Sequence, residues 1–245
     1  MPRLSIITVT YNAVKELPET FRSIEPVLNP DLELVVIDGG SKDGTVEWIQ
    51  AHSHQIQTWI SEKDKGIYDA MNKGLKLAKG EYVWFLNAGD YLHSANALKE
   101  ILLGQSDYDL YYGDTEMISP EGFSLGLRRG GVPAQLNLNT LKTGMKVSHQ
   151  SLIVRRSIAP EFDANYRLTG DLDWLIRLVK KDIKIRNLHQ IVSKFTIGGA
   201  SGQQWWRAMK ERWQCLQHHY GFWATLWAHL TIILKAPFAH ARHRH

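Results

Sequence analysis

Cysteine is almost absent from these 245 residues: Cys215 stands alone. A lone thiol closes no internal disulfide and builds no thiolate metal cluster, which fits a reducing compartment. Long apolar runs are missing too. The most apolar stretch, Phe222 to Leu234, falls well short of the ~20 residues that cross a bilayer. Met1-Pro2-Arg3 leads straight into Leu4 to Val9, too short an apolar core for a secretory signal, so no signal peptide is expected. Acid is scarce at the far end. Six Lys or Arg after Ser201 face only Glu211, although the whole chain carries a formal net charge of just +4. The overall composition, 44% hydrophobic and 22% charged, is ordinary for a soluble globular protein. The length suits one large domain, or one domain with an appendage.

What is present is a repeated unit of apolar strand, polar turn and helix. Leu32 to Ile37, rich in Val and Ile, reads as a strand buried on both faces. It ends on Asp38. Gly39-Gly40 then free the backbone for a tight turn, and Ser41 or Asp43 can cap a helix beginning near Thr45. Leu4 to Val9 runs into Thr10-Tyr11-Asn12 and a helix from about Glu16 to Glu25. Gln57 to Ile60 leads through Asp64 and Gly66 into a helix over Ile67 to Lys79, and Tyr82 to Leu86 runs into Asn87-Ala88-Gly89-Asp90. Alternating strands and helices predict a largely parallel sheet with right-handed crossovers. Ligands of such sheets bind beyond the carboxyl ends of the strands. Asn12, Asp38, Asp64, Asn87 and Asp90 are therefore expected along one edge.

The segments Ser5 to Asn12, Asp38 to Thr45 and Asp64 to Gly74 resemble family 2 glycosyltransferases of the GT-A fold. So do Ser148-His149-Gln150-Ser151, Gly170 to Leu178 and Phe195 to Ser201, in the same order and spacing. The likeness covers roughly residues 3 to 201 and is nearest to bacterial enzymes that build surface polysaccharides. It implies an α/β GT-A fold: a Rossmann-like, mainly parallel central sheet flanked by helices. Residues 1–202 would form the catalytic domain, with 1–92 as the nucleotide-binding half and 93–202 as the acceptor half. Residues 203–245 would form an amphipathic helical tail. The implied reaction moves a sugar from a nucleotide-sugar to an acceptor hydroxyl with inversion at the anomeric carbon. A divalent cation, Mn²⁺ or Mg²⁺, usually bridges the diphosphate.

By this resemblance Thr10, Tyr11, Asn12, Asp38, Asp64, Asn72, Asn87 and Ala88 make up the nucleotide-sugar site. Carboxylates suit it because they accept from N–H and O–H groups. The competing reading has Asp38, Asp43 and Asp64 capping turns and helices, as Asp commonly does. At the metal position this chain departs from the family's Asp-x-Asp. Asn87 and Gly89 replace the two carboxylates and only Asp90 remains. Hard cations can keep several waters and use one carboxylate plus substrate phosphates, so Asp90, with His149 as a further candidate, is the expected metal site. Asp171 matches the family's base, with Gly170 where that pattern has another acid. A carboxylate in a first helical turn is also stabilised by the helix dipole alone. Gly198-Gly199 suit a lid loop, or an ordinary surface turn.

The tail pattern from Gln203 is helical, with Trp206, Met209, Trp213, Leu216 and Gln217 recurring at spacings of three or four. A basic, Trp-rich segment of this length fits an interfacial membrane contact through residues 203–235. Helices packed on the catalytic domain, or a dimer contact, compete with that reading. The expected partners are a nucleotide-sugar and a saccharide or lipid-linked saccharide acceptor, with no nucleic acid. The expected location is cytoplasmic, on the inner face of the plasma membrane. A nucleotidyltransferase would favour a Gly-rich, basic phosphate loop, which Thr10-Tyr11-Asn12-Ala13 is not. A catalytically impaired nucleotide-sugar binder or scaffold subunit is the other alternative. The thinned metal motif favours it and Asp171 argues against it.

Overall fold

The computed structural model describes residues 1–104, 107–128, 131–197 and 204–230. Its strands are β1 (Leu4–Thr10), β2 (Leu32–Asp38), β3 (Thr58–Ser61), β4 (Tyr82–Phe85), β5 (Asp90–Leu92), β6 (Leu110–Ile118), β7 (Ser124–Leu127), β8 (Leu152–Arg155) and β9 (Ile185–Thr196). The helices are α1 (Glu16–Ile24), α2 (Thr45–Ala51), α3 (Ile67–Leu77), α4 (Lys99–Leu102), α5 (Leu138–Leu141), α6 (Gly170–Val179) and α7 (Trp205–Tyr220). A further helix, α8, covers 222–230. The strands join in one sheet of order β3-β2-β1-β4-β8-β6-β9-β5, and β7 pairs with β6 off this path.

The first four strands are parallel, as the alternation of strand and helix requires. Beyond β4 the sheet becomes mixed: β8 runs antiparallel between β4 and β6, while β9 lies parallel to β6. Successive strand residues point to opposite faces, so each parallel strand feeds two cores. Ile7, Val35, Ile37 and Phe85 pack with α3 and α6 on one side; Ile6, Leu34, Val36 and Trp84 pack with α1 on the other. Asp90 opens β5 opposite Phe195. Phe195 and Thr196, read from sequence as the start of a loop, complete β9. Gly198 to Ser201 lie outside the described residues, as do residues 231–245.

The tail helices are part of the core. Cys215 and Leu216 of α7 and Ala228 of α8 join the cluster that holds Trp174, Leu175 and Leu178 of α6. Cys215 and Leu216 face inward, whereas Trp206 is 80% exposed. The large tryptophans occupy the outer face, with Trp205, Trp223 and Trp227 exposed as well. No helix among the described residues is long and apolar enough to cross a membrane.

Candidate active site

The turns after β1 and β2 are laced together. The Asn12 N–H donates to Ser41 Oγ at 2.7 Å, and the Lys42 N–H returns to Asn12 Oδ1 at 3.0 Å. Asn12 has φ +47, a left-handed conformation that Asn tolerates better than most residues. Asp38, fully buried at the end of β2, accepts from the N–H groups of Gly40 and Ser41 and from the Ser41 and Ser61 hydroxyls. Asp43 accepts from Val14 and Thr45, the turn-capping role weighed for it above. Asp38 thus spends its carboxylate on the shape of the turns and offers no free face to a ligand, whereas Asn12 uses its N–H and Oδ1 in the turn and remains exposed.

Tyr11 projects from this scaffold, 65% exposed. A Cβ on Gly39 would stand 3.0 Å from Asp64 Oδ2 and 3.2 Å from Tyr11 Cδ2. Tyr11, Gly39 and Asp64 therefore line one tight corner, and glycine keeps it open. Lys73 reaches Asp64 at 2.5 Å and Glu62 at 2.8 Å. Burial pushes the Asp64 carboxyl above its ordinary range, and Lys73 counters only part of that. Thr10, beside Tyr11, is buried with its hydroxyl unpartnered.

Asn72 departs from expectation. Its Nδ2 donates to Phe162 O at 2.8 Å and its Oδ1 accepts from the Phe162 N–H at 2.7 Å. The side chain ties α3 to the segment before α6, and its acceptor is not available to a nucleotide.

At the other end of the edge, four predicted residues converge. Asn87 is buried, and its Nδ2 stands 3.2 Å from His149 Nε2, a donor–acceptor pair in the tautomer that leaves Nε2 unprotonated. The Asn87 Oδ1 is buried without a partner. The opposite ring nitrogen of His149 faces Asp171 Oδ2 at 3.7 Å. Asp90, 6% exposed, accepts from Gln150 Nε2 at 3.1 Å. Burial pushes its carboxyl up to about 6, with His149 and Gln150 pulling the other way. Ala88 is held by its N–H on Val9 O at 3.1 Å, which fixes the turn against β1. Asp171 sits in the first turn of α6, its Oδ1 accepting the Leu172 N–H at 2.9 Å. A Cβ on Gly170 would lie 2.8 Å from the Tyr68 ring, so the start of α6 rests directly on α3. An acid here, as in the family pattern, would need that ring to move.

Asp173 belongs to a different arrangement. It is buried and bonded to Arg177 at 2.7 Å and to His219 of α7 at 2.8 Å. Burial alone would raise its carboxyl; the bonds from His219 and Arg177 outweigh it and hold the group below its ordinary range. Asp173, Cys215 and His219 place three ligand-type atoms within 4.8 Å of one another. Burial pushes the Cys215 thiol up to about 12, and Arg177 already neutralises Asp173, so these residues act as a clamp between α6 and α7. Sequence reasoning missed Gln150 and Lys73 as partners of the two carboxylates. Gln150 was signalled by its place beside His149, and Lys73 only by its position one turn beyond Asp69 on α3.

The comparisons agree with this geometry. A family model described as Glycosyl transferase family 2 matches residues 5–161. A PGL/p-HBAD biosynthesis glycosyltransferase of Mycobacterium bovis is 32% identical over 212 residues, covering 82% of this chain and 79% of its own. A putative teichuronic acid biosynthesis glycosyltransferase, TuaG of Bacillus subtilis, is 22% identical over 218 residues, 86% of each chain. Among solved structures, S. aureus TarS 1-349 in complex with UDP-GlcNAc superposes with a TM-score of 0.65 at 18% identity, covering 89% of this chain and 67% of that one. The chain spans 40% of the longer TarS chain. The mannosyltransferase PcManGT from Pyrobaculum calidifontis, in complex with GDP-Man and Mn²⁺, gives 0.63 at 16% identity over 96% of this chain and 75% of that one. This chain is a GT-A fold protein and belongs to glycosyl transferase family 2.

Proposed function

We propose that the protein transfers a sugar from a nucleotide-sugar to an acceptor hydroxyl, with inversion, in the assembly of a surface polysaccharide. One observation carries this reading: Asn87, Asp90, His149 and Asp171, drawn from separate parts of the chain, meet at the same sheet edge that carries the Tyr11–Asp64 corner. The corner takes the nucleoside, with the exposed Tyr11 ring as its stacking face and Asp64 as an acceptor. Asp38 and Asn12 serve by holding the turns that present Tyr11. Asp171 takes the proton from the acceptor hydroxyl as that oxygen bonds to the anomeric carbon and the nucleoside diphosphate leaves with the electron pair. His149 and the Leu172 N–H orient the carboxylate.

The residues present fit a divalent cation. Asn87 Oδ1 is a buried acceptor with no partner, and Asp90 is a buried carboxylate with one side-chain donor. Both are oxygen ligands of the kind Mn²⁺ and Mg²⁺ prefer. Asp90 and Asn87 would hold the ion, with His149 beside them. When bound, it neutralises charge on the departing diphosphate. A second reading, an impaired nucleotide-sugar binder, draws on the missing carboxylates at Asn87 and Gly89. The exposed Trp206, Trp223 and Trp227 support an interfacial contact on the inner membrane face, which would bring a lipid-linked acceptor to Asp171.

Thermal-shift titration with nucleoside diphosphates, followed by nucleotide-sugar turnover with and without Mn²⁺, tests both readings. A native-state ligand at a hundredfold excess over its Kd adds about 2.7 kcal/mol. Asp90→Ala should remove mainly the metal-dependent part of that shift. Turnover supports the enzyme; binding without turnover supports the impaired binder. A metal response intact in Asp90→Ala would refute the ligand assignment.

A further inference from the structure

Arg167 lies four residues before Asp171 and makes no use of its charge inside the protein. Its side chain is exposed, and it has no ion pair or side-chain hydrogen bond among the described residues. The guanidinium rests on Gly66, where any Cβ would collide with its Nη1. Gly66 ends the loop that carries Asp64, so the arginine spans from the acceptor half of the chain onto the donor loop. On the next turn of the same contact, Tyr68 packs under Gly170. The cation therefore stands at the seam between the nucleoside corner and the catalytic carboxylate.

Its backbone is fixed from behind. Glu211 of α7, only 8% exposed, accepts from the Arg167 N–H at 3.0 Å and the Leu168 N–H at 2.8 Å. Arg207 meets the other Glu211 oxygen at 3.1 Å. Two backbone N–H groups and Arg207 satisfy this buried carboxylate, so it holds the Arg167 backbone firmly in place. The side chain it positions is a planar cation suited to bidentate contact with phosphate oxygens.

We propose that Arg167 is a binding residue for the anionic diphosphate of the nucleotide donor, positioned by Glu211 of the tail helix. The proposal rests on the nucleotide-sugar reading above and adds a protein cation where the chain has lost carboxylates for metal. It also gives α7 a task at the active site, since the helix sets the height of Arg167 over the donor loop.

The test compares uridine, UMP and UDP, and the guanosine series, by calorimetry with EDTA and again with Mn²⁺, for wild type, Arg167→Gln, Arg167→Lys and Glu211→Gln. Loss of a charge-assisted contact should weaken diphosphate binding by roughly tenfold or more. Nucleoside affinity should stay unchanged, Arg167→Lys should recover part of the loss, and Glu211→Gln should show a smaller loss of the same pattern. Equal diphosphate affinity in wild type and Arg167→Gln would overturn the proposal. So would a parallel loss of nucleoside binding, which would mark Arg167 as a support of the corner. Unchanged diphosphate binding with a raised KM for acceptor would overturn it as well, moving the anion to the acceptor. If wild type binds none of these nucleotides and none of the cytidine, adenosine and thymidine diphosphates either, the donor reading itself fails.

Discussion

The two ends of the ligand edge are built on opposite principles. At the β1–β2 end, the Thr10 hydroxyl apart, polar groups satisfy one another: Asp38 is fully enclosed, Asn12 is bonded at both its N–H and its Oδ1, and Asp43 accepts from the Thr45 N–H at the start of α2. At the β4–β8 end they do not. Asn87 Oδ1 has no partner, Asp90 keeps a carboxyl pushed up to about 6 by burial, and His149 and Asp171 stand 3.7 Å apart. Buried polar atoms are normally paired. An edge that satisfies its turns at one end and leaves acceptors open at the other separates shape from chemistry. Under the proposed function, the first end would present a binding surface and the second would keep its capacity for an ion, a leaving group and a proton.

Substitutions should sort the same way. The largest effect on stability belongs to the shared core. Leu216→Ala should cost about 2–5 kcal/mol in denaturant melts, because α7 packs into the cluster of α6; a change near zero would restore the tail as an independent appendage. Asp38→Asn should follow with a loss of about 1–3 kcal/mol, since its amide turns a donor toward groups that donate, and nucleotide affinity should drop with or without metal. A stable Asp38→Asn variant with normal affinity would break the claim that this end is scaffold.

Asp90 predicts a pH effect at the open end. Its ordinary value is 3.8 and burial raises the folded value to about 6. Between those values the folded protein holds a proton that the unfolded chain has released, so this group's contribution to stability falls as pH rises through the window. A cation needs the ionised form, so the Mn²⁺-dependent part of nucleotide binding should rise from pH 5 to pH 7. A flat metal response across that range would count against Asp90 as ligand. The smallest stability change is expected on the outer face. Replacing Trp206, Trp223 and Trp227 together by Ala should leave the melting temperature nearly unchanged while abolishing sedimentation with anionic vesicles. Equal sedimentation would remove the membrane reading.

The parallel half was legible because each apolar run ends on a polar turn, so Asp38, Asn87 and Asp90 announce themselves locally. The joining of distant segments was not. The Asn72 bond to Phe162 bridges 90 positions, and the Asp173 bond to His219 bridges 46. Nothing in a helical period records such a partner. The same holds for the placement of β8 between β4 and β6, which reverses the sheet's direction by long-range pairing. The packing face of the tail was not legible for a related reason. Helical spacing alone did not say which face of α7 would pack: Cys215 and Leu216 join the cluster of α6, while Trp205 and Trp206 remain exposed.

The central claim is that the open end performs proton transfer through Asp171 and that Asp173, two residues away, only clamps α6 to α7. The direct measurement is sugar transfer by Asp171→Asn and Asp173→Asn side by side, with donor affinity and melting temperature recorded for each. Asp171→Asn should lose about 10²- to 10⁴-fold in rate, the usual contribution of a positioned base, with donor affinity and melting temperature nearly unchanged. Asp173→Asn should lower the melting temperature and keep transfer in the folded fraction. Loss of transfer in Asp173→Asn with full activity in Asp171→Asn would contradict the account.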